Sequence, residues 1–542
     1  MTTTRVMLDD SPPSLRARLG VLAAVAMGLA VIAAWVEPKL ALAPVGLGVL
    51  LAAAAEAWMV MHRPLWLVLA LVVLTTFESL ILKLLPLPDA AVFAGQFAAE
   101  LAIDWGLIAA LGWRWRRGLG WRRTPADLPL MAFALVVVLT MMVNQPPVMG
   151  SLLNVRSLLR YVALFYLVVN LDLTPRQVRV VLGCVLVAGG IQLAAGLAQW
   201  IGGEAVKAWM MPRAVDLSVA GMSRRSVMLR RGREMGAVFG TFGDTLYFAL
   251  FLLIVLAVGL ARWREGRWWR VLLALPLLVG IALSYSRAAV LVSGLTIVLF
   301  LWQRGGLRPA VALAAPVLAA ALLVGVGAWA AAQTYLHPRQ VHRSALGNLT
   351  GFLSRDYIER AKRQRLGSLL GTAPTALRAA PLLGLGPDEA TTIDRLNAVV
   401  PSRLYKTLTK RGFEDVYWVA LLCYYGMLGI AALVWLMIRL IRACMELVQR
   451  SRDPTTRWAA AAAVLVLLQA PAMMLFVRVL EFRIFGFYYW LLPALALSLA
   501  AYERAAEAAR DPKAQGDSGL SSGDQREQAV QPGQVGQGVE RA

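Results

Sequence analysis

The side chains best suited to chemistry in this sequence are arginines. Arg213, Arg224, Arg225, Arg230, Arg231 and Arg233 share one loop between apolar stretches. Arg287 opens an otherwise apolar run in Ser284-Tyr285-Ser286-Arg287, and Arg160 interrupts another. A charge held at membrane depth is costly, so such arginines usually face a cavity or a partner rather than lipid. The planar guanidinium gives two parallel charge-assisted hydrogen bonds to a phosphate. Arginines beside a bilayer therefore point to a lipid-linked phosphate. The plain alternative is that each snorkels to lipid headgroups. It explains any one arginine well, and explains Arg287 and Arg233 together less well. The histidines offer no metal site: His62 lies in a short turn, and His337 and His342 stand five apart around Pro338, poor ligand spacing on a helix. There is no Walker loop and no Gly-x-Gly-x-x-Gly, hence no nucleotide-phosphate cradle of those kinds.

The elements that must position these arginines are membrane helices. The chain is 542 residues long, 59% hydrophobic and only 16% charged, with a mean hydropathy of +0.63. Apolar runs of about 20 residues recur from Leu19 to Tyr502. In hydrocarbon each backbone N–H and C=O must be satisfied within its own segment, which demands helices or a closed barrel. Val311–Ala332 does not alternate polar with apolar, so a barrel is excluded. The expected fold is an all-α polytopic transmembrane bundle of about fourteen spans. These lie near 19–36, 40–60, 65–84, 91–112, 127–145, 154–171, 177–201, 237–260, 270–285, 287–302, 309–332, 416–440, 458–478 and 482–502. Leu19–Val36 is followed by more spans rather than by a cleavage site, so it reads as a span and not as a signal peptide.

A net charge of +22 would suit nucleic acid, but the charge sits in short loops between apolar runs, so no nucleic-acid partner is expected. With both termini in the cytoplasm, WRWRRGLGWRR and ARWREGRWWR fall inside, while Glu37–Lys39, Pro86–Ala90 and Asn144–Gly150 fall outside. That is the positive-inside pattern. Two outer connections break it: Gly202–Met235, with seven Lys or Arg against three acids, and Gln333–Asp415, with thirteen against seven. The longer is exempt because charge bias acts over short loops; the shorter is not, so its arginines need another reason. The chain divides into a membrane region over 1–126, a membrane core over 127–332, a large periplasmic helical loop over 333–415, final spans over 416–502 and a disordered cytoplasmic tail over 503–542. Cys184, Cys423 and Cys444 lie in or beside apolar runs, which argues against a disulfide framework. Glu78 and Lys83 either pair across the third span or mark its edge, and Glu100 and Asp104 share one helix face. The alanines of Ala459–Ala463 suit close helix packing.

From Asp127 to Tyr502 the sequence resembles the O-antigen ligase and polymerase superfamily of bacterial membrane glycosyltransferases. Seven segments carry the resemblance, in the family's order: ADLPLMAFALVVV, SLLNVRSLLRYVALFYLVVNL, REMGAVFGTFGDTLYFALFL with Arg-x-x-Gly-x-Phe, LSYSRAAVLVSGLTIVLFLW with Ser-Arg-small, RLGSLLGTAPTALRAAPLLGLGPDE with its Pro-x-x-Gly-x-Gly turn, FEDVYWVALLCYYGMLGIAALVW with Gly426-x-x-Gly429, and FYYWLLPALALSLA. They span roughly two thirds of the chain, and residues before about 127 lie outside it. Ligases of this family place a His about eleven residues ahead of the first Gly of the returning helix, where this chain has Asp415. Other members, many of them polysaccharide polymerases, carry Asp-Asn there; here Val416 stands in place of the Asn.

The resemblance implies a metal-independent, cofactor-free enzyme of the bacterial inner membrane. Its substrate is a polyprenyl-pyrophosphate-linked glycan, and chain-length regulators and export proteins are its implied partners. Arg233 and Arg287 match the family's two functional arginines, which would stabilise the departing diphosphate. Asp415 would take the proton of the attacking sugar hydroxyl, with the adjacent Glu414 as alternative. Arg160, Arg213 and Arg365 are further candidates for substrate binding, Arg365 within the basic group Arg360, Lys362, Arg363 and Arg365. Asp415 in place of His leans toward a polymerase. The rivals are a ligase that moves finished glycan to lipid A core or protein, and a non-catalytic transporter of lipid-linked glycan; transporters often show internal repeats, and none is clear here.

Overall fold

The computed structural model of the chain describes residues 54–84, 89–211, 237–262, 274–305, 372–399 and 416–510. All regular structure among them is helical. Residues 54–62 lead into α1 (Pro64–Leu84), followed by α2 (Asp89–Arg116), α3 (Asp127–Asn144), α4 (Val148–Leu159), α5 (Val162–Asn170) and α6 (Pro175–Met210). Then come α7 (Thr245–Arg262), α8 (Leu275–Leu283), α9 (Arg287–Gly305), α10 (Ala373–Ala379) and α11 (Glu389–Val399). The last three are α12 (Tyr417–Arg450), α13 (Pro454–Met473) and α14 (Arg483–Arg510). Seven of the described helices are long and apolar enough to cross a membrane, or eight if the bent pair α4–α5 is one span. The protein is thus an all-α membrane protein. The spans expected at 19–36 and 309–332 lie outside the described residues.

Several expected spans differ in form. The run at 154–171 is two helices bent by 44° at Arg160–Tyr161. The run at 237–260 starts as a turn, and its helix begins only at Thr245, because Gly240 and Gly243 take positive φ. Helix α6 continues past Gln199 to Met210, with a break at Gly203. Helix α14 runs past Tyr502 to Arg510, so residues 503–510 are helix rather than disordered tail.

Three helices form the centre. The apolar windows of α7, α13 and α14 are 78%, 78% and 83% buried, against 28% in α1 and α3, which line the periphery. Helix α13 packs on α12, α14 and α7, and Ala459–Ala463 are all fully buried in it. Small side chains let backbones approach where lipid supplies no hydrophobic drive for helix association. Buried polar side chains add cross-links: Gln469 Nε2 donates to Leu253 O (3.2 Å) and to Thr296 Oγ1 (2.9 Å), and Trp458 Nε1 donates to Val258 O (2.9 Å).

The two ends of the bundle differ. At one end the loop after α2 folds back on the α5–α6 junction. Arg114 and Arg122 both pair with Asp172, Arg122 Nη1 donates to Val169 O (2.8 Å), and Arg114 Nη2 donates to Gly120 O (3.0 Å). Burial, helped by neighbouring Arg122, lowers the Arg114 pKa from its ordinary value, while Asp172 acts to raise it. At the opposite end α12 is broken at Gly426 (φ 64°, ψ −166°), a conformation essentially confined to glycine. The break strips Cys423 O, Tyr424 O, Met427 N and Leu428 N of helical partners. Residues 381–386 replace them: Leu385 N donates to Cys423 O (2.6 Å), Gly386 N to Tyr424 O (3.3 Å), Met427 N to Pro381 O (2.9 Å) and Leu428 N to Leu382 O (3.1 Å).

A Cβ at position 426 would collide with the backbone oxygen of Leu382, which cannot move without undoing the pairing. Gly426→Ala should therefore destabilise the protein by at least about 1–3 kcal/mol, read as a lower thermal midpoint in detergent. Gly112→Ala, which meets nothing within 4 Å, should leave the midpoint unchanged.

Candidate functional site at the Arg287 end

Arg287 is the first residue of α9 and is half-buried. The turn before it is built by its own serines. Ser284 Oγ donates to Ile281 O (2.6 Å) and accepts from Ser286 N (3.1 Å), and Tyr285 between them takes φ 56°. A cation at the positive end of a helix dipole costs about 0.3–1 kcal/mol. The same place favours an anion, which would meet the first N–H groups of a helix and a guanidinium together.

The segment that follows Arg233 is tied to this turn. Val238 N donates to Leu283 O (3.1 Å). Two glutamines one helical face apart on α6 hold the rest, and both are fully buried. Gln199 Oε1 accepts from Phe239 N (2.9 Å) and Gly240 N (3.0 Å), and its Nε2 donates to Gly240 O. Gln192 Oε1 accepts from Thr241 N (2.9 Å), and its Nε2 donates to Thr241 Oγ1 (2.6 Å) and Thr76 O (3.2 Å).

The loop carrying Pro-x-x-Gly-x-Gly is held as tightly. Every carbonyl from Ala380 to Asp388 accepts a hydrogen bond. Gly384 N serves Ala380, Met427 N serves Pro381, Leu428 N serves Leu382 and Thr392 N serves Asp388. Side chains serve the others: Thr140 Oγ1 donates to Leu383 O (2.9 Å), Asn144 Nδ2 to Gly384 O (3.1 Å), Arg395 Nη1 to Leu385 O (2.6 Å), Thr392 Oγ1 to Gly386 O (2.7 Å) and Asn154 Nδ2 to Pro387 O (2.8 Å). Arg395 also donates to Asn144 Oδ1 (2.8 Å) and to Asn144 O, clamping the end of α3 to the loop. A Cβ on Gly384 (φ 69°) would lie 2.6 Å from Gly426 N, so the two glycine motifs meet backbone to backbone.

The third part surrounds the start of α12. Tyr417 N donates to Met474 O (2.8 Å), fixing this start to the turn between α13 and α14. That turn carries Arg478 and Glu481, whose charges lie 3.6 Å apart, and Arg478 Nη2 reaches Glu389 of α11 at 3.4 Å. Tyr247 of α7 packs its ring on Phe482 (5.3 Å between centroids).

Of the residues expected to act, Arg287 and Arg160 are described. Arg160 marks the bend between α4 and α5, and its neighbour Tyr161 packs on Phe487 near the start of α14. Arg213, Arg233, Arg365, Glu414 and Asp415 lie outside the described residues, as do His337 and His342. Glu78 bonds Arg483 at 2.8 Å. Asp104 is exposed on α2. His62 Nδ1 donates to Trp58 O (3.1 Å), and its ring stacks on Trp58.

Sequence reasoning passed over Gln192, Gln199, Asn144, Arg395, Arg478 and Glu481. A signal existed for the last two: Arg478, Glu481 and Arg483 crowd the short stretch between the final two spans, on the side that the sequence reading expects to have nearly neutral short loops. No protein-family model matches the chain, and no curated protein matches its sequence.

Arg395→Ala removes a charged donor from two partners, a loss of about 1.5–3 kcal/mol per such bond. Hydrogen exchange at Leu385 and Gly386 should accelerate by about 10–100-fold, while amides in the centre of α13 keep their protection.

Proposed function

We propose that this chain is a polysaccharide polymerase of the bacterial inner membrane, with about fourteen spans and both termini in the cytoplasm. It transfers a growing glycan from its polyprenyl-pyrophosphate carrier onto a lipid-linked repeat unit on the periplasmic face. Chain-length regulators and export proteins are its proposed partners. The order of the seven motif segments supports this reading, and so does the way those motifs meet.

The observation that carries it is the bond from Val238 N to Leu283 O. The chain five residues past Arg233 is thereby joined to the last residue of α8, four residues before Arg287. Two cations that the resemblance assigns to a diphosphate belong to segments that are stitched together. Val416, bonded to Asp415, opens the helix whose first residue is fixed to Met474 at the same end.

In the proposed reaction the acceptor hydroxyl oxygen attacks the anomeric carbon of the donor. The bond from that carbon to the diphosphate oxygen breaks, and the diphosphate leaves with the electron pair. Its new charge is met by Arg287 and Arg233. The hydroxyl proton passes to Asp415. Arg160, Arg213 and Arg365 contact the substrate, and Glu414 is the alternative base. No metal is required for any step.

The test is turnover of a polyprenyl-pyrophosphate oligosaccharide by purified protein in liposomes, with EDTA present. The expected product is a ladder of lengthened lipid-linked chains. Arg287→Ala should slow it by about 10²–10³-fold, and Asp415→Asn by about 10²–10⁴-fold. Transfer without lengthening identifies a ligase, movement of glycan without transfer identifies a transporter, and loss of activity in EDTA contradicts the metal-free chemistry.

A further inference from the structure

At the end of the bundle that carries Asp172, the arginines fall into two kinds. Arg114 and Arg122 share the Asp172 carboxylate and tie the loop after α2 in place. Arg179 and Arg262 are paired with no carboxylate among the described residues, yet each is held in position. Arg179 of α6 donates from Nη2 to Thr455 Oγ1 (2.9 Å). Arg262, in the last turn of α7, lies over the Trp458 ring, 5.2 Å from Cζ to the ring centroid. Thr455 and Trp458 stand three residues apart near the start of α13, so they are neighbours on one face of that helix. Two guanidinium groups from different helices thus converge on one helix start.

Both arginines are exposed. A guanidinium has five N–H donors. Arg179 spends one on Thr455, and the ring contact of Arg262 spends none. Arg176, also exposed, adds a third cation in the first turn of α6. The first turns of α6 and α13 hold no acid, although the positive end of a helix favours one. Asp453, which caps α13, engages Thr456 N (2.8 Å) and Thr456 Oγ1 (3.1 Å) through Oδ2. An incoming anion is therefore favoured, and the planar forks suit a phosphate.

The surface next to these cations selects a phosphate that carries a tail. From Arg176 the exposed residues Val180, Val187 and Ile191 continue along one face of α6, at spacings of four, seven and four. Gly183 and Gly190 lie in that face, and a Cβ on either would meet nothing within 4 Å, so the space beside α6 is open. Cations and apolar surface are thus in line, as the head and tail of a phospholipid are. A second copy of the chain fits less well. Two copies in one membrane share an orientation, so their α6 helices would run parallel and set Arg176 and Arg179 against their own counterparts.

We propose that Arg179, Arg262 and Arg176 bind the headgroup phosphate of an anionic phospholipid, with an acyl chain laid along α6. The lipid ties α6 and α7 together across the start of α13, and so stabilises the bundle. The site is independent of the transfer reaction.

The test is native mass spectrometry on the full-length purified protein, with phosphatidylglycerol and phosphatidylcholine of identical chains added in turn. The wild type should retain phosphatidylglycerol in preference, and that lipid should raise its thermal midpoint. Arg179→Gln with Arg262→Gln should weaken phosphatidylglycerol binding by about 10–100-fold and leave phosphatidylcholine binding unchanged. Replacing both by Lys should recover part of the loss, which separates lost binding from lost folding. Arg116→Gln with Arg439→Gln removes the same charge from exposed positions on α2 and α12 and should change neither readout. Equal loss in the two glutamine pairs means diffuse attraction and overturns the site, as does unchanged binding in the first pair. Displacement of the lipid by millimolar inorganic phosphate identifies a soluble anion and overturns the lipid, and a dimer that forms in place of lipid binding does the same.

Discussion

A helix that breaks inside an apolar span leaves amides and carbonyls that neither water nor lipid can satisfy. Helix α12 breaks in this way at Gly426, nine residues after it starts, or about 14 Å along its axis at 1.5 Å per residue. Residues 381–386 meet four of the exposed groups with backbone hydrogen bonds. Each would cost about 1–3 kcal/mol if left bare and buried, so the break and the loop require each other. Most else at this end follows from that mutual dependence. Thr140, Asn144, Asn154, Thr392 and Arg395 are committed to the carbonyls of the loop. Tyr417, Tyr424 and Tyr425 lie on the short half-helix that the break sets apart.

The same end separates charge. Arg287 stands at a helix N-terminus after a turn that its own serines build. Arg478, Glu481 and Glu389 form a second group of charges beside the broken helix. Between them, buried glutamines on α6 hold the 237–244 turn without spending any charge.

The spans were legible where hydropathy alone decides. Helix α3 was expected at 127–145 and found at 127–144, and α14 starts at Arg483 where 482 was expected. Such runs are long, apolar and bounded by Asp, Pro or Arg, so their limits are written locally. The breaks were not legible, because hydropathy does not report the direction of the backbone. Nothing near Gly426 tells that it takes φ 64°; the requirement comes from Leu382 and Gly384, more than forty residues earlier. Both glycine motifs were visible as motifs, and their meeting was not. Asn144 and Arg395 read as ordinary loop polarity because their partners are backbone carbonyls, which leave no trace in side-chain pattern. Arg478 was missed for a different reason: a base in a short turn gains meaning only once Glu389, far back in the chain, is brought within 3.4 Å of it.

The central claim is that residues 381–386 lie in the break of α12 in the native membrane. Leu382 and Leu428 are paired through Leu428 N and Leu382 O at 3.1 Å, and both side chains are exposed. Leu382→Cys with Leu428→Cys, in a background where Cys184, Cys423 and Cys444 are replaced by serine, tests the claim in native membranes with a short bifunctional thiol reagent. Mass spectrometry should find the two peptides joined in high yield without denaturant, and far less joined when Gly426 is also changed to Ala. If 382 and 428 fail to join while each cysteine singly reacts with a monofunctional reagent, the loop does not occupy the break, and the architecture assigned to this end is wrong.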